Sequence, residues 1–278
     1  NGGKQWDVPG LDKHHGQDIF LTEALTRELS AEIERTVESD QPFFAYMSHY
    51  AVHAPFEVDS RFAENYPDLN GKDLAFATMV EGMDKSLGDL LDQLDDLGVA
   101  EKTLVIFFSD NGSDGPLNLP LRGKKGTRFD GGSRVPLMIA WAKPDSENPL
   151  QQRYPIAGGA IEDDLVGPTD FLPTIAGITG AEIPADAILD GFDLSPCLKM
   201  KPGMHRPQNF LLHFPHGQHN NNLFSTWVDG DWKLIYEYAT TEWQLTNIAT
   251  DIGEEKNLVA EKPELALSMA ERMIQRLD

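Results

Sequence analysis

From Thr22 to Glu38 the apolar residues Leu25, Leu29, Ile33 and Val37 recur at every fourth position, a spacing that collects side chains on one face of a helix. The stretch from Ala75 to Leu97 does the same with Met79, Met83, Leu87, Leu90, Leu94 and Leu97, and Gly98 offers a stop. Two other segments carry no helical period. Pro42 to Ser48 and Thr103 to Phe108 are runs of apolar and β-branched residues, which predicts strands buried on both faces. Val135 to Trp141 predicts a further strand, and Thr169 is the expected cap of a helix reaching Gly177. A passage rich in proline and charge follows between Ala181 and Pro207. Beyond it, short runs at Asn209 to His213, Phe224 to Val228, Asp231 to Tyr238 and Glu242 to Leu245 predict strands. A last helix is expected from Pro263 to Leu277, with the proline in its first turn. Alternating helices and strands predict an α/β fold in layers, over residues 1–200. A smaller unit of short strands and a helix is expected over residues 201–278.

Composition narrows the function classes. Acidic residues number 45 against 23 basic ones, for a net charge of −22, which argues against a nucleic-acid partner. With 278 residues, 40% of them hydrophobic, the chain can bury a sizeable core. No apolar run reaches the ~20 residues of a membrane span, so no membrane partner is expected. The only cysteine, Cys197, excludes an internal disulfide framework.

Against that acidic background three segments carry chemistry. The strand at Thr103 ends in Ser109-Asp110-Asn111-Gly112, a carboxylate beside a carboxamide at the place where open α/β sheets bind ligands. Such oxygens suit a hard cation, Ca²⁺ or Mg²⁺, although Asp, Asn and Gly also make ordinary turns. Pro120 to Pro136 then packs five basic side chains, among them Arg122, Lys124 and Lys125, between four glycines. Glycine lets backbone approach an oxyanion while Lys and Arg supply charge; a solvated basic loop is the alternative reading. Upstream, His49 and His53 follow the Pro42 segment, and Ala54-Pro55 turns the chain there. A histidine at a strand's end can donate to an anion or protonate a leaving group, or can simply be structural.

Taken in order, Pro42-Phe-Phe with Ser48-His-Tyr-Ala-Val-His-Ala-Pro55, Phe107-Phe-Ser-Asp-Asn-Gly112, Pro120-Leu-Arg-Gly-Lys-Lys-Gly-Thr127 and Asp130-Gly-Gly-Ser-Arg-Val-Pro136 resemble the type I sulfatases, the formylglycine-dependent enzymes of the alkaline phosphatase superfamily. The likeness continues in Pro168-Thr-Asp-Phe-Leu-Pro-Thr-Ile-Ala-Gly177, Leu189-Asp-Gly191, Gly230-Asp-Trp-Lys-Leu-Ile235 and Asp251-Ile-Gly-Glu-Glu-Lys-Asn-Leu258. This resemblance implies an alkaline-phosphatase-like α/β/α domain plus a small carboxyl-terminal antiparallel sheet with a helix. It implies that Asp110 and Asn111 are side-chain ligands of a Ca²⁺ that touches the substrate sulfate. Lys125 matches the lysine on the sulfate, and His53 the histidine beside the ester oxygen. His49, Arg122 and Lys124 are further candidates for substrate contact; Lys124 stands where the family usually has glycine. His213 and His216, in a loop dense in histidine and asparagine, are expected to meet substrate if that loop reaches the pocket.

The family's nucleophile lies in a Cys-x-Pro-x-Arg or Ser-x-Pro-x-Arg segment whose first residue becomes formylglycine, and no such segment occurs in the 278 residues. The family's early aspartate pair is absent as well. The chain is therefore expected to be the carboxyl-terminal portion of a sulfatase, partnered by the rest of its domain and inactive alone. The complete protein is expected to act on a sulfated carbohydrate or aryl sulfate, in a periplasmic or secreted setting. A phosphodiesterase or phosphonate hydrolase of the same superfamily, or a non-catalytic sulfate- or glycan-binding remnant, are the alternatives.

Overall fold

A computed structural model describes residues 8–114, 118–198, 209–215 and 223–277. The chain forms two compact units, one of residues 1–104 with 141–148, the other of residues 105–140 with 149–278. The boundary expected at residue 200 lies outside the described residues.

The first unit is built on two helices, α1 (Leu21–Glu38) and α2 (Gly71–Asp96), as the apolar periods predict. Ile33, Leu94 and Ala100 form its buried centre, with Leu29, Val37, Leu90, Leu97 and Phe43 packed around them. A polar contact also joins the helix pair. Thr22, Ala24 and Thr26 of α1 are buried, as are Ala75, Thr78, Gly82 and Ser86 of α2, and Thr26 Oγ1 lies 2.6 Å from Ser86 Oγ. The hydroxyl pair satisfies two polar groups that the packing buries.

One expectation fails in this unit. Residues 42–48 form no strand, and Phe44 and Tyr46 are 75% and 84% exposed. A strand requires a neighbour to satisfy its backbone, and among the described residues no other segment pairs with this one.

Strands β1 (Leu104–Phe108) and β2 (Leu137–Trp141), which lie in the second unit except for their end residues Leu104 and Trp141, are hydrogen-bonded neighbours. Every β1 residue is half-buried rather than fully enclosed, so the two-face burial expected there is not met. Short helical turns α3 (Asp130–Ser133) and α4 (Pro149–Arg153) precede α5 (Phe171–Thr179). Phe171 packs edge-on against Phe108 of β1, with ring centroids 5.0 Å apart. The cap of α5 is not Thr169. The buried Asp170 carboxylate instead accepts the backbone N–H groups of Gly167 (2.9 Å) and Phe192 (2.8 Å), and Gly180, with φ 77°, closes the helix.

After α6 (Ser195–Leu198), four strands form an antiparallel sheet in sequence order: β3 (Asn209–Phe214), β4 (Phe224–Asp229), β5 (Trp232–Glu237) and β6 (Glu242–Asn247). Helix α7 (Pro263–Leu277) covers one face, where Ala266, Met269 and Met273 meet Trp227, Leu234 and Leu245. Alternation along β5 therefore sends Lys233, Ile235 and Glu237 to the opposite face. Among the described residues no helix is long and apolar enough to cross a membrane. The architecture is mixed α/β with a small antiparallel sheet.

Candidate functional site

Where β1 ends, the chain passes through Ser109-Asp110-Asn111-Gly112 and is joined to the basic loop by backbone hydrogen bonds. Gly112 N–H donates to Gly132 O (3.0 Å), Gly131 N–H to Arg122 O (2.8 Å), and Lys125 N–H to Ser113 O (3.2 Å). A Cβ on Gly112 would stand 1.8 Å from Gly131 O, one on Gly131 2.4 Å from Gly123 O, and one on Gly132 2.5 Å from Thr127 O. These glycines are therefore required by close approach. Asn118 clasps the same loop, taking Ser113 N–H on Oδ1 (3.1 Å) and donating from Nδ2 to Ser113 O (3.0 Å).

Four of the loop's five cations are engaged by the protein itself. Arg122 donates to Glu254 O (2.7 Å) and lies 3.9 Å from the Phe129 ring centre. Lys124 pairs with Asp114 at 2.9 Å, Arg128 with Glu237 at 3.1 Å, and Arg134 with Asp130 at 3.9 Å. Among the described residues Lys125 has no side-chain partner. The same is true of the exposed Asp110 carboxylate, and Asn111 spends its Nδ2 on Gly112 O (3.0 Å), leaving Oδ1 open. A free carboxylate beside a free amide oxygen fits a hard cation. The fit is partial: Ca²⁺ takes about six to eight oxygens, and among the described residues no group of three His, Cys, Asp or Glu is gathered.

In the first unit, exposed His53 holds Nδ1 2.8 Å from Ala54 O. A carbonyl only accepts, so Nδ1 carries the proton and Nε2 is the ring atom left for chemistry. His49 is half-buried, its Nδ1 has no hydrogen-bond partner among the described residues, and burial pushes its pKa below the usual imidazole value. In the second unit His213 faces Ser225 across β3 and β4; its Nδ1 lies 2.8 Å from Ser225 Oγ, which lies 2.9 Å from Tyr238 Oη. His216 lies outside the described residues.

One cluster has no counterpart among the sequence candidates. Lys233, only 1% exposed, sets Nζ 2.6 Å from Asp130 Oδ1 and 2.9 Å from Glu254 Oε2. Glu254 Oε1 accepts Asp130 N–H at 2.6 Å. Burial raises the Glu254 pKa, with the Asp130 charge adding to the rise and Lys233 opposing it. The signal was present in Trp232-Lys-Leu-Ile-Tyr236, where a lysine inside an apolar strand demands a buried counter-charge.

Comparison with known proteins identifies the family. The family model described as Sulfatase matches residues 4–181, and one described as N-sulphoglucosamine sulphohydrolase, C-terminal, matches residues 127–278. A Sulfatase from Formosa agariphila is 32% identical over 312 residues, covering 98% of this chain and 52% of that protein. Arylsulfatase A from Homo sapiens is 34% identical over 197 residues, covering 69% of this chain and 33% of that protein. The crystal structure of Ps i-CgsB in complex with k-i-k-neocarrahexaose superposes with a TM-score of 0.79 at 27% identity, over 92% of this chain and 54% of that one. The chain thus spans at most about half the length of these relatives. With a family match running through both the Asp110 edge and the basic loop, the chain belongs to the sulfatase family and has its alkaline-phosphatase-like fold.

Proposed function

We propose that this chain supplies the anion-binding loop, a partial cation site and a proton donor of a sulfuric ester hydrolase. The observation that carries this reading is the pairing pattern of the basic loop: among the described residues Lys125 and Asp110 stay uncommitted on one glycine-packed edge, while Lys124 and Arg128 pair with carboxylates and Arg122 is held by Glu254 O. Ca²⁺ held in part by Asp110 and Asn111, with Mg²⁺ as the alternative, would supply charge neutralisation, and formylglycine from outside these 278 residues would supply the nucleophile. Lys125 offsets charge on the non-bridging sulfuryl oxygens. Removal of one such stabiliser typically lowers kcat by about 10²–10³. His53 Nε2 passes its proton to the departing alcohol, a role worth about 10²–10⁴. It can do so once protonated, because Nδ1–H is already held by Ala54 O.

A sulfated carbohydrate is the substrate class we favour, with an aryl sulfate second. Support comes from Ps i-CgsB, solved with k-i-k-neocarrahexaose, and from N-acetylgalactosamine-6-sulfatase of Mus musculus, 30% identical over 221 residues. The test is a side-by-side assay of the complete protein on 4-nitrophenyl sulfate, 4-nitrophenyl phosphate and a sulfated oligosaccharide, with K125A and H53A variants. Preference for the sulfates, lost in K125A, is the expected result. Preference for phosphate would overturn it in favour of a phosphoester hydrolase.

A further inference from the structure

Glu254 touches both ends of the basic loop. At one end its backbone oxygen accepts Arg122 Nη1–H at 2.7 Å; at the other its side-chain Oε1 accepts Asp130 N–H at 2.6 Å. The loop closes on itself between those ends, through Gly131 N–H to Arg122 O, and then against β1 through Gly112 N–H to Gly132 O. Lys124 and Lys125 lie within the span so clamped. Gln244 Nε2 supports the same Glu254 oxygen from β6 at 3.0 Å. Glu254 is fully buried and sits at φ 50°, a backbone setting that a non-glycine residue keeps only when its surroundings hold it.

Lys233 Nζ hydrogen-bonds Asp130 Oδ1 at 2.6 Å and lies 2.9 Å from the second Glu254 oxygen, an ion pair outside hydrogen-bond geometry. Without that ammonium the two buried carboxylates would face each other uncompensated, since Arg134 reaches Asp130 only at 3.9 Å and Arg128 is paired with Glu237. We infer that Lys233 and Glu254 are positioning residues that hold the Arg122–Asp130 loop, and hence Lys125, in an anion-binding geometry. The clamp itself follows from the contacts; its consequence for sulfate rests on the function proposed above.

The role depends on charge and on donor count, which makes it separable from packing. The cluster of Lys233, Asp130 and Glu254 carries one positive and two negative charges, net −1. K233M takes it to −2, E254Q to 0, and K233M/E254Q returns it to −1. In E254Q a single amide oxygen meets two donors, Asp130 N–H and Lys233 Nζ–H. In the double variant the second donor is gone, and the new amide can itself donate toward Asp130. The experiment follows backbone amide exchange at Gly112 and Gly131 in the complete protein, with NMR titration by inorganic sulfate, for wild type, both single variants, the double variant and K125A. Exchange at Gly112 and Gly131 should quicken at least about tenfold in K233M, as removal of one partner from a buried ion pair implies. The double variant should recover most of that loss, and sulfate affinity should follow exchange. K125A should abolish sulfate binding without altering exchange. Losses that simply add in the double variant, or unchanged exchange in K233M, would overturn the inference. Failure of the wild type to bind sulfate would sink the anion-site reading, while the exchange data would still decide the clamp.

Discussion

The glycine contact at the end of β1 yields the sharpest quantitative prediction, because the same chemical change has opposite signs at two positions. In G112A the added methyl would lie 1.8 Å from Gly131 O, and both atoms belong to backbone or are fixed to it. Relief to an ordinary contact of about 3.4 Å needs a displacement of roughly 1.6 Å, enough to lose the Gly112–Gly132 hydrogen bond at 3.0 Å. That bond contributes about 1 kcal/mol, and overpacking costs about 1–3 kcal/mol. The expected destabilisation is therefore about 2–4 kcal/mol, some 30- to 1,000-fold in the folding equilibrium. Gly88 lies inside α2 with nothing within 4 Å of its Cβ position, so G88A should instead stabilise by about 0.5–1 kcal/mol. Urea unfolding with far-ultraviolet circular dichroism and tryptophan fluorescence measures both. The two-unit division means separate transitions should be fitted separately. If G112A unfolds with wild-type midpoints, the backbone contact that brings the basic loop to Asp110 is not what the structure describes.

Three further outcomes are expected. Because burial lowers the His49 pKa, the unfolded state binds the proton more readily. Stability is then undiminished above pH ~6.5 and falls as pH drops through the interval below it; H49Q should flatten that part of the stability–pH profile, and an unchanged slope would refute the assignment. Met269 is fully buried between α7 and the sheet, so M269A should cost about 2–5 kcal/mol in urea unfolding, against less than ~0.5 kcal/mol for the exposed Leu267→Ala beyond its helix propensity. Ser225→Ala removes the hydroxyl on His213 Nδ1, so the imidazole ¹⁵N shifts of His213 should change tautomer balance while those of His53 stay fixed.

Local pattern was sufficient wherever an element answers to a single buried face. The stripes through Ile33 and Leu94 became α1 and α2, and Pro263 to Leu277 became α7. Turn residues separated the last four strands closely enough to place them within a few residues. The Asp110-Asn111 pair and the glycine-rich basic loop were legible as candidates, since their residue types suggest chemistry without knowledge of neighbours.

What the tertiary structure alone decided concerns pairing over long separations. A run such as Pro42 to Ser48 reads as a strand, yet strand formation depends on a partner that lies elsewhere in the chain. Lys124 and Lys125 are adjacent and alike in sequence; the position of Asp114 occupies the first and leaves the second open. Lys233 meets Asp130 across 103 positions, and the same carboxylate pair includes Glu254, 124 positions from Asp130. No period or motif encodes that meeting. Sequence determined where single amphipathic faces lay and which chemistry the residue types offered; the fold determined which residues were enclosed and which buried charges faced one another, because electrostatic compensation acts through distance in space rather than along the chain.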